Sequence, residues 1–273
     1  MNNILVIGSG KMGLNHVRRL EQRQDYIVDS ISLGAYGTFG IRGGRTQLLE
    51  SYDYLIIATP TISHYHIYKK YKDMFPFKKI LIEKPAIFSP NQLDIFDDKR
   101  VCVGLIERFN PNIAKFDSND VAYLHFVRSV LEVRGDIFLE LAIHDLDLFV
   151  YLFHITNIED VKIKEELSFE NNKLLFQVGY HLTLEYKGIP VHFCWTISDK
   201  PERYLWWRTN KQISEHRASA SAIEDWTDKH MLHNELHLYN YEVDKLTLEH
   251  DAFLADKMPD TRLSHELMLK VIC

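Results

Sequence analysis

Cysteine is scarce in this chain. Cys102, Cys194 and Cys273 are far apart, odd in number and in no CxxC spacing, which argues against a disulfide frame or a zinc site and fits reduced structural thiols. Positive charge is also in short supply. Lysine and arginine total 32 against 38 acidic residues, a formal net charge of −6, and the basic residues are dispersed rather than gathered in a stripe, so no nucleic-acid partner is expected. No apolar run approaches the ~20 residues of a membrane helix. The opening "MNNILVIGSG" lacks the basic segment and long apolar core of a secretory signal. A cytoplasmic protein without a membrane partner is expected, and neither an internal repeat nor a low-complexity tract is seen.

What is present is enough apolar material for real cores, 46 % of 273 residues, in a length that suits one large or two ordinary domains. The N-terminus reads as strand, glycine turn and helix: Ile4-Leu5-Val6-Ile7, then Gly8-Ser9-Gly10-Lys11-Met12-Gly13, then a helical run to about Gln22. This is the context in which GxGxxG points to a dinucleotide. Gly8 allows the turn, Gly10 lets a pyrophosphate approach the backbone, and Gly13 lets helix and strand pack closely. The helix N-terminus adds N–H donors and a partial positive charge. A second strand is expected near Tyr26 to Ser32. An acid commonly holds the adenosine ribose about twenty residues past the glycines, and Asp29 stands at that distance, although inside the strand. The following "SLGAYGTFGIRGGRTQ" has no acid and two arginines, Arg42 and Arg45, which could hold a ribose 2′-phosphate or be solvated loop charges. NAD and NADP both stay open, and the adenine side of the site is expected to be abbreviated.

Three more apolar strands follow: Tyr54 to Ala58, ending in Thr59-Pro60; Lys79 to Ile82, ending in Glu83-Lys84-Pro85; and Val101 to Ile106, running into Glu107-Arg108-Phe109-Asn110-Pro111. Strands apolar throughout are buried on both faces, and strands alternating with helices give a parallel, doubly wound sheet whose ligands bind at the C-terminal strand ends. Lys84 is thereby delivered to the cofactor edge. His64 either lines the nicotinamide pocket or caps the helix that follows Thr59-Pro60.

After Pro111 the texture changes to a strand, a long amphipathic helix in "GDIFLELAIHDLDLFVYLF" and several successive strands, with a hairpin at Lys187-Gly188. That order gives an α+β region with a mostly antiparallel sheet. The expected division is a Rossmann-type dinucleotide-binding domain over residues 1–108 and a substrate-binding and oligomerisation domain over residues 109–273.

Together "GSGKMGLNH", "ATPTISH", "EKPAIF", "ERFNP", "GDIFLELAIHDLDL" and the late "EHDAFL" resemble the Gfo/Idh/MocA oxidoreductases, of which this chain looks like a compact member. The resemblance implies NAD or NADP in the first domain and hydride transfer to or from a sugar, sugar nucleotide, cyclitol or related carbonyl compound. It puts the motif lysine at Lys84, with a cis Lys84-Pro85 bond, and the helical acid and histidine at Glu140 and His144. It also implies a homodimer or homotetramer, for which the second domain's sheet is the expected contact. Glu140 and Ala142 stand where the family pattern usually has aspartate and glycine. The spacing i, i+4 puts Glu140 and His144 on one helix face. Histidine can accept an alcohol proton near neutral pH, and Lys84 can stabilise charge developing on the same oxygen.

The expected cofactor residues are Gly8, Ser9, Gly10, Lys11, Met12, Gly13, Asp29, Arg42, Thr59, Pro60, His64, Glu83 and Pro85; Lys84, Arg108, Asn110 and His144 are expected to meet substrate. The imidazoles of His230, His233 and His237 match no full metal motif, so a solvated or interface face is preferred and no metal is expected. Of Trp206 and Trp207, one should be core and the other should lie at a subunit contact. A non-catalytic nucleotide- or sugar-binding protein, or a reductase of a tetrapyrrole or imine, are the alternatives.

Overall fold

The computed structural model describes residues 2–33, 39–42, 50–132, 136–169, 179–212, 234–238 and 244–272; for residues 33, 39–42, 167–169 and 237 it gives the backbone alone. It divides into two compact units, Met1–Phe109 with Asp244–Cys273, and Asn110–Val243.

In the first unit the strands are β1 (Asn2–Ile7), β2 (Tyr26–Leu33), β3 (Phe39–Arg42), β4 (Tyr54–Ile57), β5 (Lys79–Glu83) and β6 (Val101–Gly104), in the spatial order β3-β2-β1-β4-β5-β6. Five of them run parallel, and Ile4 to Ile7, Leu55 to Ile57 and Ile80 to Ile82 are fully buried. Covered on both faces, these strands have no polar side to present, and this accounts for their unbroken apolar runs. Helix α1 (Lys11–Leu20) follows β1, and α2 (Thr61–Tyr71) follows β4. A 3₁₀ helix (Pro90–Asp97) fills the β5–β6 connection.

The edge strand β3 departs from this pattern by pairing antiparallel to β2, with Leu33 opposite Phe39 and Ser30 opposite Arg42. A hairpin partner therefore stands where a further crossover would extend a parallel sheet. This is the physical form of the expected abbreviation.

The chain returns to the first unit through α4 (Lys245–Leu254) and α5 (Arg262–Ile272). Phe253 of α4 is fully buried in the cluster containing Ile4, Val6, Val17 and Leu20. Arg19 and Arg23 of the α1 region pair with Asp244 and Asp251, each at 2.6 Å. The domain division expected from sequence put residues 244–273 with the second domain. The two divisions differ there because the apolar face of α4 completes the first unit's core, a contact distant in sequence that strand and helix patterning does not reveal.

The second unit holds β7 (Val121–Val130), β8 (Val161–Phe169), β9 (Gly179–Tyr186), β10 (Ile189–Ile197), β11 (Arg203–Thr209) and β12 (Asn234–His237), in the order β12-β11-β7-β10-β9-β8. Among the described strands of this second sheet only β7 and β10 pair in parallel. The β9–β10 hairpin turns at Lys187 and Gly188, with φ of 51° and 82°, as a two-residue turn with positive φ at both positions requires. One sheet face packs on α3 (Ile143–Leu152): Leu124, Phe126, Leu182, Leu184, Phe193 and Trp195 are fully buried with Phe149 of that helix. Trp207 is buried and meets Phe116 edge-on, whereas Trp206 lies on the other face, stacked on Tyr123 with ring centroids 4.9 Å apart. The core half of the tryptophan expectation is thus visible.

Candidate functional site

The glycine turn has the geometry that its spacing anticipates. Gly8 sits at φ 126°, and a Cβ there would come within 2.2 Å of the Ala58 carbonyl oxygen. A Cβ on Gly13 would reach 2.0 Å from the Gly8 oxygen. Both positions therefore require glycine for packing inside the protein. Gly10 is different: nothing lies within 4 Å of an added Cβ, so the requirement there comes from the open side. Gly10 is also the N-cap of α1 and no side chain caps the helix, leaving first-turn N–H groups for an anion.

A pocket of about 580 Å³ opens at this point. Gly8, Ser9, Gly10, Lys11 and Met12 line one side, and Ala58, Thr59, Pro60, Ile62, Ser63 and Ile67 the other. A glycine cradle, an uncapped helix end and an apolar wall fit a nicotinamide dinucleotide, with the pyrophosphate at the cradle. When bound, such a cofactor supplies a hydride donor or acceptor.

The neighbouring strand ends are tied together by buried histidines. His64 of α2 faces the Thr59 carbonyl at 2.6 Å and the Pro85 carbonyl at 2.9 Å. It is nearly fully buried and absent from the pocket wall. His64 is therefore a clamp between two strand-end turns, a third role beside the two expected from sequence. The Lys84-Pro85 bond is cis, and the Ala86 N–H donates to His265 Nε2 at 3.2 Å while the other His265 nitrogen meets the Thr261 carbonyl at 2.9 Å. Lys84 is half-buried and Pro85 buried.

Beneath Lys84 lies a polar chain that sequence reasoning missed. The Glu83 carboxylate is 2.8 Å from His16 Nε2, and it accepts from the Lys84 N–H at 3.2 Å through its other oxygen. His16 Nδ1 is in turn 2.8 Å from His250 Nε2. One proton serves that nitrogen pair. Desolvation and the charge of His16 push His250 down to about 3, so this ring is neutral. For Glu83 desolvation is the largest influence and acts upward, but the His16 hydrogen bond and the nearby positive charges, Lys84 among them, outweigh it and hold the carboxyl below its ordinary range. Glu249 is the reverse case. It is fully buried, neither oxygen has a hydrogen-bond partner among the described residues, and desolvation, then the charge of Glu83, raises it well above the usual carboxylate value. Two carboxyl groups near one another thus divide into one ionised and one neutral. The signal for His16 was visible in "GLNH", three residues after Gly13; nothing local marked Glu249 or His250.

Several expected residues are used elsewhere. Asp29 is buried in β2 and accepts a 2.7 Å hydrogen bond from the Tyr52 hydroxyl. Arg108 bonds the Asp260 carbonyl at 3.2 Å and Ser264 Oγ at 3.4 Å. Asn110 is buried, donates to the Leu238 carbonyl at 2.9 Å and caps a 3₁₀ helix by accepting from the Asn112 N–H at 3.1 Å. These positions hold strand, helix or loop in place, a demand that a motif string does not display. The Arg42 side chain, Arg45, His230, His233 and the His237 side chain lie outside the described residues. Among the described residues no group of three His, Cys, Asp or Glu could hold a metal, and no helix is long and apolar enough to cross a membrane. Burial pushes the Cys102 and Cys194 thiols up to about 11, far from a reactive thiolate.

In the second unit, Glu140 and His144 flank a change of helical pitch. Residues Phe138–Ala142 form a π turn that passes into α3. The expectation of one continuous α-helix is corrected by this turn, a feature often found at functional sites. His144 is buried and Glu140 half-buried. Next to His144, the Asp145 carboxylate is gripped by Arg128 through Nε at 2.9 Å and Nη2 at 2.6 Å and by Trp195 Nε1 at 2.8 Å, all of them buried. This fastens the first turn of α3 to the sheet.

The molecule has a two-unit architecture, a Rossmann-type unit with an α+β unit built on a mixed sheet. Solved structures identify the fold as that of the Gfo/Idh/MocA oxidoreductases. A dehydrogenase (MviM) from Clostridium difficile superposes with a TM-score of 0.70 at 13% identity, over 99% of this chain and 98% of that one. A Gfo/Idh/MocA family oxidoreductase from Vibrio cholerae gives 0.64 at 14% identity, over 98% and 94%. The UDP-N-acetylglucosamine 3-dehydrogenase GnnA from Acidithiobacillus ferrooxidans gives 0.64 at 16% identity, over 98% and 94%. No family model and no curated protein matches the sequence.

Proposed function

We propose that this protein is an NAD(P)-dependent oxidoreductase moving a hydride between the nicotinamide and a hydroxyl or carbonyl carbon of a sugar, sugar nucleotide or cyclitol-like substrate. The observation that carries this reading is the open cradle at Gly10, beside an uncapped helix end and a pocket walled by the β4 turn. The fold shared with dehydrogenases supports it. In the proposed reaction His144 takes the hydroxyl proton on an imidazole nitrogen, or returns it in reduction. The role proposed for the Lys84 ammonium is to hydrogen-bond a substrate oxygen as charge develops, and that of Glu140 is to support the histidine. The sheet face carrying Tyr123, His125, His192 and Trp206 is the surface proposed to pair subunits.

Reduced-nicotinamide fluorescence, titrated with wild type and Gly10→Ala, tests the cradle. Because the added methyl meets no protein atom, the variant should melt where wild type melts while its dinucleotide affinity falls at least tenfold. Equal affinity in the two proteins would remove the cradle from the site. The antiparallel β3 edge favours one second reading, nucleotide or sugar binding without turnover, which the same titration cannot exclude but a substrate screen can.

A further inference from the structure

We infer that His16 is a positioning residue for Lys84: it ties the helix that starts at the glycine cradle to the strand end carrying the lysine, and it holds the Glu83 carboxylate against the Lys84 backbone. This role rests on the oxidoreductase reading, in which Lys84 meets the substrate oxygen, and names what keeps the lysine in place.

The buried residues of α1 are Gly13, His16, Val17 and Leu20, the i, i+3, i+4, i+7 stripe of a core-facing helix. An apolar side chain at position 16 would satisfy packing alone. A fully buried imidazole is costly unless its nitrogens are bonded, and here both are: Nε2 is 2.8 Å from Glu83 Oε1, and Nδ1 is 2.8 Å from His250 Nε2. The Glu83 carboxyl is held below its ordinary range, and an ionised carboxylate only accepts. His16 Nε2 therefore carries the proton of that bond. The other Glu83 oxygen accepts from the Lys84 N–H at 3.2 Å, so a single carboxylate joins the imidazole of α1 to the backbone of Lys84.

Strand register leaves room for this arrangement. Glu83 ends β5 opposite Gly104 of β6, and a Cβ on Gly104 would stand 3.4 Å from Glu83 Oε1 and 3.3 Å from Glu249 Oε1. Along α1, His16 lies about 9 Å of helix axis beyond Gly10, and it is absent from the pocket wall. Its influence on the reaction therefore runs through Glu83 to Lys84 rather than through contact with the dinucleotide. The leverage is large, because a displacement of about 1 Å at a reacting group can cost on the order of a hundredfold in rate.

Two substitutions separate positioning from packing. A glutamine places its amide nitrogen near the site of imidazole Nε2, whereas an asparagine places its own near Nδ1. His16→Gln thus keeps a donor for Glu83, and His16→Asn keeps only the contact with His250. Each variant is measured for melting temperature, for NADH and NADPH affinity, and for kcat on a substrate found in a panel of sugars, sugar nucleotides and cyclitols. The rate at which acetic anhydride labels Lys84, relative to exposed Lys99, is read by peptide mass spectrometry. Both variants should melt several degrees lower and hold dinucleotide within about twofold of wild type. In His16→Asn, kcat should fall about tenfold or more and the labelling ratio should change about threefold or more. His16→Gln should stay within about threefold of wild type in kcat and keep the wild-type labelling ratio. Variants that match each other in kcat and labelling overturn the inference, because His16 would then only fill space. If His16→Asn fails to fold, Glu83→Gln decides. It has one acceptor oxygen where the carboxylate has two, so it can serve His16 or the Lys84 N–H but not both; a wild-type labelling ratio in that variant overturns the inference, and a changed one supports it. A folded wild type that turns over nothing in the panel overturns the functional reading, while the labelling still decides the role of His16.

Discussion

Two buried polar clusters stand behind the two candidate catalytic elements, and they solve the same problem differently. Behind His144, Arg128 and Asp145 form a close, multiply bonded ion pair completed by Trp195. The opposite charges cancel locally, and arginine does not titrate in the accessible range. Behind Lys84, the chain Glu83–His16–His250 and the neighbouring Glu249 consist of groups whose charge depends on environment. The first cluster fastens a helix to its sheet through a charged pair, while the second makes the first unit's stability, and the setting of Lys84, depend on protonation.

Removing a partner from the ion pair is the most damaging way to break this comparison. Arg128→Met leaves the Asp145 carboxylate buried and uncompensated, and should cost about 3–5 kcal/mol. Urea denaturation measures this, and a loss below about 1 kcal/mol would mean the pair is not a fastener. At neutral pH the effect should change little with modest shifts of pH.

The titratable cluster should show both signs of pH dependence. His250 has a folded value of about 3 against 6.5 when unfolded, so the unfolded state takes up the proton first and stability falls as pH drops below 6.5. Between there and about pH 4 this is worth roughly 2–3 kcal/mol. His250→Asn should flatten that acid limb. Glu249 is shifted upward from 4.5; here the native state keeps a proton that the unfolded state releases, so its contribution is lost as pH rises through the raised value. Glu249→Gln, which mimics the neutral acid, should fold at neutral pH and remove that alkaline decline. Chemical denaturation across pH reads both limbs. If Glu249→Gln is less stable than wild type throughout, Glu249 is ionised and the comparison fails.

How legible this was from the sequence differs between local and long-range features. The parallel strands, the glycine turn, the Lys187-Gly188 hairpin and the change of fold class near residue 110 all follow from short patterns, apolar runs and φ requirements, while the cis Lys84-Pro85 bond came from the family resemblance. The place of Lys84 at a strand end and the open backbone at Gly10 were legible for the same reason. Glu249 and His250 were not, because His250 reaches His16 across more than two hundred residues, and the "EHDAFL" segment announces a helix without saying against what it packs. Arg128 and Asp145 were hidden in a similar way, a charge in a strand and a charge on a helix that no local pattern joins. Asp29 shows the opposite case. Its distance from the glycines suggested ribose, while its burial and its partner Tyr52 could be found only in three dimensions.

The most direct test of the account is turnover by wild type and Lys84→Ala over a panel of sugars, sugar nucleotides and cyclitols with NAD and NADP, followed by nicotinamide absorbance, with cofactor affinity measured in parallel. The account predicts turnover of at least one panel member by wild type, and a loss of a hundredfold or more in kcat for Lys84→Ala with cofactor affinity unchanged. Wild-type turnover that Lys84→Ala retains in full would contradict it, as would a folded, cofactor-binding wild type that transfers hydride to or from nothing in the panel.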